Sequence, residues 1–555
     1  MKSRSLMLIA LVVLVVLATA AHAQYSVLYN FGSKSGDPCQ PLYSGIIAQG
    51  RDGNLYSTAP LCANGLGAVF KITLPAGALT VLYNFDQTHG STPQGGLTLG
   101  RDGYFYGTTQ SYGKACCGTV FKITPGGSLT LLHNFADTGS DGASPYAPPI
   151  QAIDGNFYGT TVAGGIANAG TIYKISGTTF TLLHQFDNTD GTFPYAPLVQ
   201  ATDGNFYGTA FQGGTSNAGV VFRLIPATRK LTVLYNFDGT HGAGPAGPLV
   251  QATDGNFYGT TTGGGTSNAG VVFKITPTGS LTVLHNMNGT TDGGSPWAGL
   301  VLASDTNVYG AAATGGDLTC NNGEGCGTLF KITPPPTSTF SVLHNFEVTT
   351  GISPYVTPLQ RTKGTVYGDT ELGGTGNVIV CGVTTDLCGV FYSWSAPGLK
   401  PFVALLPYSG KVGNTIEFLG QGFTSSTTAS FNGTTASRTV VSGTYLTATV
   451  PTGATTGFVT VTTSGVTLKS NKKFRVVPQI TSFSPTSGPP DTSVVITGES
   501  FTGATSVTFG GVKGTITSLS YTEITATVPS GAKTGKITVT TPGGTATSAG
   551  IFTVT

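Results

Sequence analysis

From Val27 to about Trp394 the chain repeats one unit of about 50 residues seven times, and no other feature restricts its fold so tightly. Two phrases mark each copy. Val-Leu-Tyr-Asn-Phe or a close variant begins at Val27, Val81, Leu131, Leu182, Val233, Val283 and Val342. Asp-Gly-Asn-Phe-Tyr-Gly-Thr or a close variant begins at Asp52, Asp102, Asp154, Asp203 and Asp254, and is degraded at Asp305 and Lys363. Within 249–287, Leu249-Val-Gln-Ala-Thr253 reads as a short strand, and Asp254-Gly255 as a two-residue hairpin signal leading into Asn-Phe-Tyr-Gly-Thr-Thr. A Gly-rich loop, Gly263 to Gly270, gives way to Val-Val-Phe-Lys-Ile-Thr. The turn Pro-Thr-Gly-Ser then leads into Leu-Thr-Val-Leu-His-Asn-Met. Each unit is thus expected to be a four-stranded antiparallel meander.

Apolar residues never fall at helical spacing in the repeats; β-branched and aromatic residues alternate in short runs instead. A repeated meander can close into a radial β-propeller or run on as a β-solenoid. The phrase order favours the ring. The array opens at Tyr25 with only the fourth-strand phrase and ends near Trp394 with only the first three strands. An N-terminal strand that completes the last sheet would cover an otherwise bare edge. The fold class read from this is all-β: a seven-bladed β-propeller followed by two immunoglobulin-like β-sandwiches.

The phrases Asp-Gly-Asn-Phe-Tyr-Gly-Thr, Asn-Ala-Gly-Val-Val-Phe-Lys-Ile and Leu-Thr-Val-Leu-Tyr-Asn-Phe resemble the GloVer tandem repeat of exported bacterial proteins. That resemblance implies export, a surface location often secured by a C-terminal sorting anchor, and no established enzymatic activity. The C-terminal residues Gly550-Ile-Phe-Thr-Val-Thr555 depart from the anchored pattern, with neither an apolar span nor a basic tail.

The N-terminus supports export independently. Lys2 and Arg4 precede an apolar run, Leu6 to Ala18, and then Ala21-His22-Ala23, the layout of a secretory signal peptide. The run is shorter than the roughly 20 residues a spanning helix needs, so no integral membrane segment is expected after cleavage. The expected organisation is a signal peptide at 1–23, the propeller at 24–398, and sandwiches at 399–477 and 478–555. A secreted, extracellular or cell-surface location follows from it.

Charged residues are 9% of the chain, Gly numbers 82 and the net charge is +2, with no Lys/Arg cluster, which argues against nucleic acid as a partner. The eight cysteines fall into local sets: Cys39 with Cys62, Cys116 with Cys117, Cys320 with Cys326, and Cys381 with Cys388. In an exported chain these are read as disulfides, with connectivity left open. Zinc, the alternative, finds no C-x2-C spacing or neighbouring His.

Two segments of similar length follow Lys400 and align with each other. Phe431-Asn-Gly433 answers Phe509-Gly-Gly511, and Leu446-Thr-Ala-Thr-Val-Pro451 answers Ile524-Thr-Ala-Thr-Val-Pro529. Short alternating strands between turn residues read as β-sandwiches. The second, with Ile480-Thr-Ser-Phe-Ser-Pro-Thr-Ser-Gly488 and Val494-Val-Ile-Thr-Gly-Glu-Ser-Phe501, resembles an IPT/TIG domain. The first is a looser copy. Such modules in exported bacterial proteins commonly serve as spacers or adhesion units.

Catalysis needs an asymmetric set of groups, and most His and Asp here belong to the repeat. His133, His184, His285 and His344 occupy the strand position that Tyr29, Tyr83 and Tyr235 fill elsewhere, which points to packing or a shared hydrogen bond. The Asp of each Asp-Gly turn, such as Asp154 or Asp203, is read as turn chemistry: it tolerates positive φ and bonds its own backbone. Calcium would want an Asp-x-Asp-x-Asp-Gly loop. No cofactor, metal or catalytic residue is expected. Aromatic residues follow Pro in four connections between fourth and first strands, at Tyr146, Tyr195, Trp297 and Tyr355, on the face where the second-to-third-strand loops also lie. They either wedge between blades or surround the channel mouth as a site for a glycan or protein partner. The reading is a binding, adhesion or scaffold protein. The alternatives are an exported carbohydrate lyase or lactonase, for which Arg361, Asp369 and Glu371 are the scattered candidates, and a purely structural envelope protein.

Overall fold

The computed structural model describes residues 23–41, 45–62, 64–139, 141–375 and 387–555, so the expected signal peptide lies almost wholly outside the described residues. Seven four-stranded antiparallel sheets form the blades of a β-propeller. Blade 5 is typical, with strands Val250–Gln251, Phe257–Thr261, Val271–Ile275 and Leu281–Asn286 in spatial order. Blade 7 takes Leu359–Gln360, Val366–Asp369 and Val390–Ser395 from its own repeat and Gln24–Asn30 from the N-terminus. Gln24 pairs with Ser395 and Asn30 with Val390, closing the ring and ruling out the solenoid. No helix among the described residues is long and apolar enough to cross a membrane.

The repeated phrases are instructions for packing. In the third strand Val271, Val272, Phe273 and Ile275 are fully buried. In the second, the Gly of Phe-Tyr-Gly admits the third-strand ring. A Cβ on Gly208 would meet Phe222 at 2.5 Å, and one on Gly259 would meet Phe273 at 2.6 Å. The Phe-Tyr pair couples blades, because the Tyr of one blade stacks on the Phe of the next: Tyr56 on Phe105 at 4.0 Å, Tyr106 on Phe157 at 3.7 Å and Tyr207 on Phe257 at 4.2 Å. In Val-Leu-Tyr-Asn the Leu is the extra residue of a β-bulge: Phe273 faces Val283 while Val272 faces His285, leaving Leu284 over. The Asn that follows pins the loop of its own blade, Asn236 accepting from the Thr215 N–H and Asn286 from the Thr266 N–H. First-strand glutamines tie blades together, Gln251 accepting from the Thr202 N–H at 2.9 Å and Gln49 from the Thr362 N–H at 2.9 Å.

The Asp-Gly turn corrects the sequence reading. Val250 pairs with Tyr258 and Gln251 with Phe257, so the loop is 252–256 rather than two residues, and the first strand is only Val250–Gln251. Positive φ belongs to Gly255, at 83°. The Asp instead receives three bonds: Asp203 accepts from the Asn205 N–H (3.0 Å), the Asn205 amide (2.8 Å) and the Tyr207 hydroxyl (2.8 Å). An acceptor-only carboxylate suits that convergence of donors better than a tight hairpin does.

Two further β units follow. The first runs from Phe402–Leu406 to Val466–Val476, the second from Gln479–Ser484 to Gly544–Val554. In the first, Phe402 pairs in parallel with Lys469 while Ala404 pairs antiparallel with Leu419, so one strand joins two sheets around a core that includes Val403, Phe418, Phe431 and Phe474. The second has the matching core, Val494, Ile496, Phe509 and Phe552.

The first unit docks on the propeller face that carries the Asp-Gly hairpins, here called the lower face. Arg51 binds Glu417 through two hydrogen bonds, at 2.8 and 3.1 Å, and its guanidinium lies 4.7 Å from the Tyr445 ring centre. Thr444 donates to the Arg51 carbonyl (2.6 Å) and Thr362 to the Gly420 carbonyl (3.2 Å). Leu419 and Tyr445 join the core between blades 1 and 2.

Candidate functional site

The opposite, upper face is where each fourth strand crosses to the next blade, and its turns are rigid. Ser144, Phe193, Ser295 and Ser353 all adopt positive φ between 49° and 57°. The prolines after them nest on the glycine that opens each third strand. A Cβ on Gly118 would meet Pro145 at 2.7 Å, one on Gly170 would meet Pro194 at 2.8 Å, and one on Gly327 would meet Pro354 at 2.6 Å. These turns fix the residue that comes next, which is Tyr146, Tyr195, Trp297 or Tyr355.

The four rings converge and are half-buried. Tyr146 lies edge-on to Tyr195 at 5.0 Å, Tyr195 to Trp297 at 6.3 Å, and Trp297 to Tyr355 at 6.2 Å. Blade 5 breaks the pattern with Pro245-Ala246, and there Phe211, reaching in from the blade 4 loop, stacks on Trp297 at 5.4 Å and meets Tyr195 edge-on at 5.4 Å. Sequence reasoning missed Phe211 because it does not follow a Pro. Its signal is the substitution Ala210-Phe211 where neighbouring repeats read Thr161-Val162 and Thr261-Thr262. The arc continues as polar groups: the Gln110 amide donates to the Tyr146 hydroxyl (3.0 Å), and the Gln94 amide to the Gln110 carbonyl oxygen (3.1 Å). Beneath it, small residues bring the blades close around the axis. Ile46 N–H donates to the Gly95 carbonyl (3.0 Å) and Thr357 N–H to the Gly45 carbonyl (2.9 Å).

The three scattered catalytic candidates do not meet. Arg361 donates to the Gly53 carbonyl (2.8 Å) on the lower face. Asp369 is wholly buried in blade 7 with neither carboxylate oxygen hydrogen-bonded, and burial raises its pKa well above the ordinary carboxylate value. Glu371 occupies the loop position of Gln110, its N–H donating to the Ser353 carbonyl. The alternating His/Tyr position serves a shared hydrogen bond in several blades: Tyr29 donates to Asp37 (2.6 Å), while His184 Nε2 lies 2.8 Å from Asp190 and His285 Nε2 2.7 Å from Asp292. His344 differs. Its Nε2 is buried without a partner, and its ring stacks on Tyr25 at 3.9 Å.

Cys116 is bonded to Cys117 and Cys320 to Cys326, and Cys39 and Cys388 are also disulfide-bonded. The Cys62 side chain and Cys381 lie outside what is described. Among the described residues, no three His, Cys, Asp or Glu side chains are grouped to hold a metal ion.

A closed seven-bladed propeller carrying immunoglobulin-like units, one face docked and the other ringed with aromatics, defines the class of protein. The Gloeobacter/Verrucomicrobia repeat matches residues 14–199, 99–324 and 148–381, and the chain belongs to that family. Residues 478–554 match the IPT/TIG domain. No curated protein matches the chain. Among solved structures it is similar to a fungal alcohol oxidase of the AA5 family in complex with copper, at 14% identity and a TM-score of 0.45, covering 81% of this chain and 99% of that one. It is also similar to an oligogalacturonate lyase in complex with manganese, at 10% identity and a TM-score of 0.43, covering 68% and 98%. A gluconolactonase from Xanthomonas campestris is similar at 13% identity and a TM-score of 0.35, covering 52% and 85%.

Proposed function

We propose that this is an exported protein that works by binding, holding a glycan on the upper propeller face while the C-terminal units act as stalk or second binding unit. The observation that carries the reading is the continuous arc of Tyr146, Tyr195, Phe211, Trp297 and Tyr355, five half-buried rings, four of them set by the positive-φ and Pro turns and the fifth packed against Tyr195 and Trp297. Sugar C–H faces stack on such rings, and Gln94, Gln110 and Glu371 offer hydrogen bonds beside them without a basic or strongly acidic field. Binding is favoured over lyase or lactonase chemistry because Arg361 is committed to the far face while Asp369 is sealed inside a blade.

A glycan array screened with the native chain and with the Tyr146→Ala, Tyr195→Ala, Trp297→Ala, Tyr355→Ala variant tests this. The expected result is a glycan bound by the native chain and lost, about tenfold or more, by a variant with an unchanged circular dichroism spectrum. No glycan bound, or binding undiminished in the variant, would remove the reading. Export is tested by N-terminal sequencing of protein recovered from the medium or outer surface, which should begin at Gln24.

A further inference from the structure

The first C-terminal unit touches hairpins of blades 1, 2 and 7 through Arg51, Leu419, Tyr445 and Thr362, and Lys400 N–H donates to Ser304 in blade 6 (2.9 Å). It overhangs blades 3, 4 and 5. There a cleft of about 430 Å³ stays open between the two, within the size range of small-molecule sites. Its propeller wall is nearly neutral, with Ala201, Thr202, Gln251 and Thr253. The carboxylate on that wall, Asp254, already accepts from Asn256 (2.8 Å) and Tyr258 (3.0 Å).

The other wall is cationic. Lys472, Lys473 and Arg475 line it together with Tyr408 and Ser409, in a chain with only 26 basic residues against 24 acidic ones. Among the described residues none of the three basic side chains has a hydrogen bond or ion pair. Lys472 has a ring contact, its ammonium 5.2 Å from the Tyr408 centre. The Arg475 Nε is buried without a partner, and so is the hydroxyl of Ser409, a residue 3% exposed. Burial holds Lys472 and Arg475 below their ordinary pKa values, with Asp203 offsetting part of that for Arg475. A buried donor left unpaired is destabilising, more so when charged, and an anion in the cleft would relieve that through charge-assisted bonds.

We propose that this cleft binds an oxyanion-bearing ligand of small-saccharide size, its carboxylate or sulfate held by Arg475, Lys472 and Ser409. The site lies on the face opposite the aromatic arc and stands independently of it. Lys473, exposed at the mouth, adds attraction at longer range.

Calorimetric titration of the full mature chain at low salt, with digalacturonate, cellobiose and sodium sulfate as probes, tests the proposal. Digalacturonate should saturate a single site and weaken as salt is added. Arg475→Gln should weaken it about tenfold or more. Lys473→Gln, which alters only an exposed side chain, should weaken it a few-fold without changing the melting temperature. The four-ring variant of the upper face should bind digalacturonate as the native chain does, separating this site from the glycan face. Sulfate binding as tightly as digalacturonate would uphold the anion site and overturn the saccharide. Failure of both anions to bind, binding indifferent to Arg475→Gln and Lys473→Gln, or cellobiose binding the four-ring variant as tightly as digalacturonate does would overturn the proposal.

Discussion

Asp305 accepts the hydroxyl of Tyr309 at 2.6 Å, and Asp52, Asp102, Asp154, Asp203 and Asp254 hold the corresponding tyrosines in the same way. Asp305→Ala should therefore strand the hydroxyl of a residue only 2% exposed, at a cost of about 1–3 kcal/mol. Tyr309→Phe should cost less, and the double variant less than the sum, measured by denaturant unfolding. The position of the Asp-Gly turn was legible because Gly punctuates it, though its length was not. The clamp was not, since nothing in the spacing says that the Tyr hydroxyl folds back to the carboxylate. Asp369 and His344 make predictions of opposite sign. Asp369 replaces a residue that is Thr in five other blades, Thr58, Thr108, Thr160, Thr209 and Thr260, and its pKa is raised in the fold. A raised acid stabilises fully only below its unfolded value and loses that contribution as pH rises through the folded value. Asp369→Thr should thus raise stability by about 1–3 kcal/mol at neutral pH and by less near pH 4. His344 is pushed down to about 4 by burial, so its contribution is present above about 6.5 and is lost as pH falls toward 4. Melting curves across that window should fall less steeply for His344→Tyr, which installs the ring used at Tyr29 and Tyr83.

At the scale of elements the blades were readable because each is one contiguous copy of the same pattern. Strand length was less so: first strands such as Val199–Gln200 have two residues, too few to show alternation, and the fourth-strand bulge hides inside an apolar run that looks regular. The closing strand was legible from phrase order alone. Removing residues 24–31 should lower the melting temperature far more than an equal cut at the C-terminal end, because it bares the outer edge of Val390–Ser395 and takes Tyr25 from its stacks with His344 and Tyr392. Differential scanning calorimetry of the two truncations gives the comparison.

For the whole molecule, the docking of the first C-terminal unit was illegible, since Arg51 and Glu417 meet across most of the chain and neither stands in a recognisable motif. Glu417 shows what holds the dock together: burial raises its pKa, and Arg51 opposes the rise. Arg51→Met should leave that carboxylate largely buried with only Tyr445 and the charge of Arg101 to answer it, at a cost of about 1–3 kcal/mol concentrated at the interface. Calorimetry should then resolve an early transition for the C-terminal units that the native chain does not show. The aromatic arc was legible only in part, because four rings share a Pro-aromatic phrase while the fifth, Phe211, arrives from a different loop to fill the place of a small residue.

The closing strand also fixes an order of events. Synthesis delivers Gln24–Asn30 before any blade exists, and delivers its partner, Val390–Ser395, only after the six other sheets have had their own contiguous chain to fold from. Throughout that interval the seven-residue strand has both edges bare, and blade 7 of a neighbouring molecule presents the same vacancy. At high local concentration the strand that completes one ring can complete another, so strand exchange between chains is the characteristic error of this architecture, and its products would be linked oligomers of correctly folded propellers.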